Sequence, residues 1–278
     1  MPISRLSGSA GKRVIVMVTA CVVLSAAFAS TASASPVTGK LIKVGPKLSV
    51  NTNTSNNWFG YNLGALGDGD KLFSSITGSW TVPTATQHTT GQAEDSADWI
   101  GIGGGCVDSG CDATDETLIQ TGTEQDVSST GAASYDAWYE LVPAPEIEIS
   151  NMTVDPGDQM HASLTQLAGE SNVWQVTIQD VTRNETYSTT VPYSSTQSTA
   201  EWIEETPLEI GTSPGLAALP NLTNPAWNAL TVNGGNPGLN TSEEMDLVDS
   251  SGNVIGSPSA PNSTTNGFDE CTWTSTCS

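Results

Sequence analysis

Short runs of Trp, Tyr, Val, Ile and Thr alternate along the chain with clusters of Gly, Pro, Asn and Ser, and within the runs apolar positions recur with a period of two. Ten such runs, at 72–82, 99–102, 118–123, 134–142, 160–167, 173–181, 186–191, 200–204, 229–232 and 245–248, predict β-strands, because branched and aromatic side chains fit a pleated, half-buried surface. No amphipathic stretch of helical period is long enough to predict a substantial helix. The pattern therefore predicts an all-β protein, an antiparallel two-sheet β-sandwich forming one domain over 57–278, a size that single β domains reach.

The start of the chain departs from this pattern. Arg5, Lys12 and Arg13 precede an apolar stretch over 14–28 and small residues ending Ala32-Ser33-Ala34, the order of a secretory signal peptide over 1–34. A helix over 14–28 would rise roughly 22 Å, short of the roughly 30 Å of a bilayer core, which argues against an anchor. The expected product is secreted, extracellular and free of the membrane once the signal is cut. Residues 35–56 are polar and carry Lys40, Lys43 and Lys47. They read either as a flexible N-terminal arm or as a pro-segment docked by its lysines on an acidic body.

Charge narrows the partners. The 278 residues hold 30 acidic and 8 basic side chains, a net charge of -22, and three of the basic ones leave with the signal. Nucleic acid and anionic membrane surfaces are excluded, since both are bound through Lys and Arg. Cys21 also leaves with the signal. The other four cysteines form two close pairs and, in an oxidising compartment, predict the local disulfides Cys106–Cys111 and Cys271–Cys277 ahead of the two other connectivities. His88 and His161 stand in no ligand spacing, so no metal or other cofactor is expected. Asp108, Asp112, Asp115 and Glu116 read either as a calcium loop without EF-hand spacing or as a solvated, disulfide-tied loop.

Common catalytic motifs fail on chemistry. The run from Gly211 to Gly215 matches a nucleophile elbow, but Pro214 follows the serine and has no N–H for an oxyanion, and no His lies downstream. Asp108-Ser109-Gly110 occurs once, whereas aspartic-peptidase chemistry needs two carboxylates sharing a proton. Polar residues placed on strands remain. Alternation sets Gln120 opposite Ile119, puts Asp136, Trp138 and Glu140 on one face, and puts Glu201, Ile203 and Glu205 on a face away from Trp202 and Glu204.

Seven segments run in the order found in one family: Asn57-Trp58-Phe59-Gly60-Tyr61, Gly78 to Pro83, Trp99 to Gly104, Leu118 to Gly122, Tyr135 to Glu140, Ala200 to Glu204 and Met245 to Val248. In these the chain resembles the glutamic peptidases, the eqolisins, in a bacterial-type secreted form. The resemblance implies a concanavalin-like jelly roll with a cleft across its concave sheet. It further implies a monomeric acid endopeptidase acting on proteins or peptides, with Glu201 as catalytic glutamate and Gln120 as its partner. Trp99, Trp138, Glu140 and Tyr135 would bind substrate or support the pair. Fungal members carry Asp at the position of Gly103, so any hydrogen bond made by that Asp is missing here. A different reading of the same residues is a secreted β-sandwich that binds or hydrolyses glycans, with Glu140 and Glu201 as its carboxylate pair and tryptophans stacking on sugars.

Overall fold

The computed structural model describes the backbone of residues 41–42, and residues 53–67, 69–108, 110–111, 113–209 and 214–278. The predicted signal and most of the arm lie outside the described residues, which all belong to one compact unit, Thr38–Ser278.

Thirteen strands of five or more residues build this unit: β1 Trp58–Gly64, β2 Ser75–Thr81, β3 Glu94–Gly103, β4 Leu118–Val127, β5 Ala133–Val142, β6 Gln159–Gln166, β7 Val173–Asp180, β8 Glu185–Pro192, β9 Thr199–Glu205, β10 Ala226–Val232, β11 Glu244–Val248, β12 Val254–Pro258 and β13 Phe268–Thr272. Each of the ten predicted runs falls on one of them. β1, β12 and β13 lie outside those runs, because Gly, Asn, Pro and acidic residues interrupt their apolar positions. Among the described residues the helical content is a single 3-10 turn at Thr241–Glu243, and no helix is long and apolar enough to cross a membrane.

Antiparallel pairing runs through the long strands in the order β8-β7-β6-β2-β10-β13-β12-β11-β1-β9-β3-β4-β5. The path doubles over, and its two halves bury one core: Ile76, Trp80, Leu164, Trp174 and Ile178 from one half pack with Ile100, Ile119, Tyr139 and Trp202 from the other. This is the two-sheet antiparallel sandwich that the periodicity predicts. The halves differ in burial. β2, β6 and β7 alternate strictly, with one buried face, whereas β9 is buried at all seven positions and β3 and β4 at nearly all of theirs. The sheet built around β9 is thus covered on both sides.

Both predicted disulfides are formed, Cys106–Cys111 in the loop after β3 and Cys271–Cys277 at the C-terminal end. Leu41–Ile42 of the arm pairs antiparallel with Leu208–Glu209, just beyond β9. Of the two basic residues after position 56, Arg183 contacts Asp155, Asp158 and Asp180.

Candidate active site

Strand register assembles a polar row across one face of the sheet built around β9. On β9, Glu201 stands opposite Asn62 of β1 on one side and Gly101 of β3 on the other; Gly101 stands opposite Gln120 of β4, and Gln120 opposite Glu140 of β5. Neighbouring strands are about 4.8 Å apart, so Gln120 and Glu201 lie roughly 10 Å apart at the backbone. The Trp99 ring and the Leu118 side chain pack over the intervening Gly101, where a Cβ would fall 2.6 Å from Trp99 Cζ3 and 3.0 Å from Leu118 Cδ1. Glu201, Gln120 and Glu140 are all fully buried, and Asn62 nearly so.

A row of large apolar residues runs beside the polar one. Ile203, Trp99, Gly122 and Trp138 are successive cross-strand partners, and Trp58, Leu118 and Met245 complete the cluster. Trp99 meets Trp58 edge to face at 4.8 Å and donates its indole N–H to Glu205 at 3.0 Å, which fixes its ring beside the row. Trp99, Trp138 and Glu140, expected from the sequence to surround the pair, are therefore on its face. Tyr135 is not: it stands opposite Gln125 on the other face, packs against the core, and its hydroxyl accepts the Ala85 N–H at 2.9 Å. It cannot reach a ligand over Gln120. Its place in the motif reflects the alternation of one strand, in which residues 135 and 138 necessarily point to opposite sides.

The electrostatics of the row are those of a carboxyl withdrawn from water. Gln120 donates from Nε2 to Glu140 at 2.7 Å, which orients the amide. Burial pushes the Glu201 pKa well above the usual carboxylate range, and the charge of Asp115 pushes the same way; the Thr199 hydroxyl and the Gly105 amide oppose this. Neither group reaches full hydrogen-bonding geometry, so both Glu201 oxygens lack a partner. An ionised Glu201 thus needs a further donor, such as a water or a substrate group.

The loop after β3 packs beside Glu201 and is held by Asn62 of β1, and Asn62, Gly105 and Asp115 are residues that sequence reasoning missed. Asn62 grips Cys106 twice, donating to its carbonyl at 2.8 Å and accepting its N–H at 2.9 Å. At Gly105 a Cβ would sit 1.6 Å from Asn62 Oδ1 and 2.6 Å from Glu201 Oε1, so no side chain fits there. Asp115 ties down the far end of the loop by accepting from Thr117, Thr196 and Ser198. The departure at Gly103 has a structural basis: its φ is +93°, and a Cβ would fall 1.8 Å from the Thr117 carbonyl oxygen. The backbone of this loop occupies the space that a side chain at 103 would need.

On the core face of the same sheet, Asp98, Glu204 and Glu270 are fully buried, with carboxylate oxygens within 4.8 Å of one another. Gln125 donates to Ser96 at 2.9 Å and points the same amide nitrogen at Asp98 and Glu204, while Trp227 donates to Glu270 at 2.8 Å. Burial first, and the charges of their neighbours after it, raise all three pKa values. Among the described residues these, and not the loop carboxylates at 108, 115 and 116, are the acidic side chains that converge.

The fold is an antiparallel β-sandwich whose strand register places Glu201, Gly101 and Gln120 in one cross-strand row. The Peptidase A4 family matches residues 56–267, and the chain belongs to that family. It is 30% identical to aspergillopepsin-2 of Aspergillus niger over 182 residues and 27% identical to scytalidopepsin B of Scytalidium lignicola over 116 residues. These alignments cover 57% and 42% of this chain and span 59% and 38% of the relatives' lengths. Two solved structures share the fold. Scytalido-glutamic peptidase, crystallised with a transition state analog inhibitor, superposes with a TM-score of 0.60 at 19% identity, covering 78% of this chain and 98% of that one. Aspergilloglutamic peptidase from Aspergillus niger superposes with a TM-score of 0.52 at 24% identity, covering 64% and 99%.

Proposed function

We propose that this protein is a secreted acid endopeptidase that hydrolyses peptide bonds with Glu201 and Gln120 acting on one water. The observation that carries the reading is the register Glu201, Gly101, Gln120, which sets a buried carboxyl and a buried amide on one face of the sheet, two strand spacings apart. Glu201 takes a proton from the water as it attacks the scissile carbonyl, and later hands that proton to the leaving amine. The Gln120 amide, oriented by its bond to Glu140, donates to the oxyanion of the tetrahedral intermediate. Withdrawal from water strengthens that interaction, because a preformed donor needs little reorganisation when charge develops. The signal-like segment and the disulfides support export.

The register disfavours the glycan-hydrolysing alternative. It sets Glu201 and Glu140 three strand spacings apart, roughly 14 Å at the backbone, with Gln120 between them and bonded to Glu140. Paired glycosidase carboxyls need open room for sugar or water between them, and here Gln120 holds the position between them. The deciding experiment is Glu201→Gln, purified from culture medium and checked for an intact fold, assayed on casein and on polysaccharides at acid pH. Wild-type protein should digest casein and the variant should not. A folded variant that still digests protein would overturn the assignment.

A further inference from the structure

Two side chains that take no part in the peptide-bond chemistry meet at the backbone of Gly105, beside Glu201. Thr199 lies two residues before Glu201 on β9, so the two side chains share a face, and both are fully buried. Gly105 touches each of them. Its N–H donates to Thr199 Oγ1 at 3.1 Å, and a Cβ on its α-carbon would sit 2.6 Å from Glu201 Oε1. Because Oγ1 accepts the Gly105 N–H, the Thr199 hydroxyl proton is left to donate, and Glu201, both of whose oxygens lack a hydrogen bond, is the acceptor on the same face.

Asp115 holds Gly105 from the other side. Its N–H donates to the Gly105 carbonyl at 2.9 Å, while its carboxylate accepts the Ser198 N–H at 3.2 Å and the hydroxyls of Thr117 and Thr196. One acidic residue thus fastens both the loop after β3 and the lead into β9, the segments that carry Gly105 and Thr199. Electrically Thr199 and Asp115 oppose each other. Burial does most to raise the Glu201 pKa; the Thr199 hydroxyl lowers it, the Asp115 charge raises it, and the Gly105 amide lowers it. The strands flanking Glu201 present the neutral groups Asn62 on β1, Gly101 on β3 and Gln120 on β4. The titratable groups further out are Glu140 on β5, beyond Gln120 and accepting from it, Glu244 on β11, beyond β1, and Glu205 on β9 itself, which accepts from Trp99.

We infer that Thr199 and Asp115, joined through Gly105, are positioning residues for Glu201: the hydroxyl supports the ionised carboxylate that takes a proton from water, and the Asp115 carboxylate opposes it. The inference rests on the peptidase reading and adds to it the pair of groups that sets the pH range in which Glu201 works as a base. Neither residue touches the reacting atoms. Each acts through the loop backbone and the glutamate.

The test is kcat against pH, measured on one peptide substrate for wild type and for variants shown by melting to be folded. On the acid side kcat should fall as Glu201 takes up a proton and no longer serves as base. Thr199→Val removes the hydroxyl at nearly constant size and should move this limb to higher pH by about half a unit to one unit, the scale of a hydrogen bond to a charged group. Thr199→Ser keeps the hydroxyl and should leave the limb in place. Asp115→Asn removes the opposing charge, keeps an oxygen for Thr117, and should move the limb to lower pH by a smaller step. KM should stay within about twofold throughout, since the changed groups do not contact substrate. Residues that merely held the loop together would not shift the limb in opposite directions. A limb left in place by a folded Thr199→Val, or one that Asp115→Asn leaves in place or moves upward, overturns the inference, and Asp115→Asn decides alone if Thr199→Val does not fold. If wild-type protein cuts no peptide at any pH, the peptidase reading itself falls.

Discussion

β9 carries buried glutamates on both of its faces, and Glu201 on one and Glu204 on the other are held in opposite ways. On one face Glu201 shares a cross-strand row with the neutral amide of Gln120, two strand spacings away, with an apolar tryptophan row beside it. On the core face Glu204 meets two more carboxyls, Asp98 and Glu270, under Gln125 and Trp227. Burial raises the pKa of both glutamates. Their partners give the raised pKa a different consequence on each face. Replacing a second carboxyl by an amide leaves one dissociable proton and one fixed donor near the reacting atoms, an arrangement suited to passing a proton to a substrate. Crowding three carboxyls inside the core, away from any substrate, makes the fold itself depend on their protons.

Reciprocal substitutions on the two faces should break or sharpen this contrast. Glu201→Gln should remove nearly all peptidase activity while the protein still folds, and it should flatten the fall of melting temperature with pH as far as the raised Glu201 pKa contributes to it. Gln120→Ala should rank next, with a loss of about 10²–10³ in kcat, or about 3 to 4 kcal/mol, and a smaller change in KM, since the donor acts mainly in the transition state. The two losses should be far from additive because both groups position one water. A full-size kcat in Gln120→Ala would remove the amide from the mechanism.

The core face should govern stability instead. Asp98, Glu204 and Glu270 have folded pKa values above their unfolded ones, so each stabilises the fold fully below its unfolded value, near 4, and loses that contribution as pH rises through the folded value. Melting temperature should therefore fall between about pH 4 and pH 7. Glu204→Gln should flatten that slope while peptide hydrolysis persists. A wild-type melting temperature that holds level or climbs over the same interval contradicts the argument. Gly103→Asp should cost at least about 2 kcal/mol, the scale of a non-glycine residue forced into a positive-φ position, with the clash against the Thr117 carbonyl oxygen added to it, and lower the melting temperature. Glu140→Gln should have the smallest effect, on the order of tenfold in kcat, because it disturbs only the orientation of Gln120. Were Glu140→Gln as damaging as Glu201→Gln, the two carboxyls would be equal partners and the glycan-hydrolysing reading would return.

Much of this contrast is legible before folding. Alternation within single strands separates Glu201 from Glu204, Gln120 from Ile119 and Trp138 from its neighbours, since successive side chains in a strand point to opposite faces. The local disulfides are likewise set by cysteine spacing. Tyr135 shows the limit of motif reading, because a segment shared as a block need not have all its members on the working face. Asn62, Gly105 and Asp115 carried no sequence signal of their own. Asn is common throughout this chain, the Gly103-Gly104-Gly105 run indicates a turn without indicating what it covers, and Asp115 looks like one of several loop acids.

What the sequence determined by itself is therefore ten of the thirteen long strands, the side of each on which a residue lies, and the pairing of cysteines a few positions apart. These depend on propensity and on a period of two, which act over a handful of residues. The tertiary structure alone decided that β9 lies between β1 and β3, that Gly101 separates Glu201 from Gln120, and that Glu270 joins Asp98 and Glu204 in the core. Those juxtapositions bring together residues distant in the chain. They depend on which strands bury each other's apolar faces, and on the register they adopt in doing so.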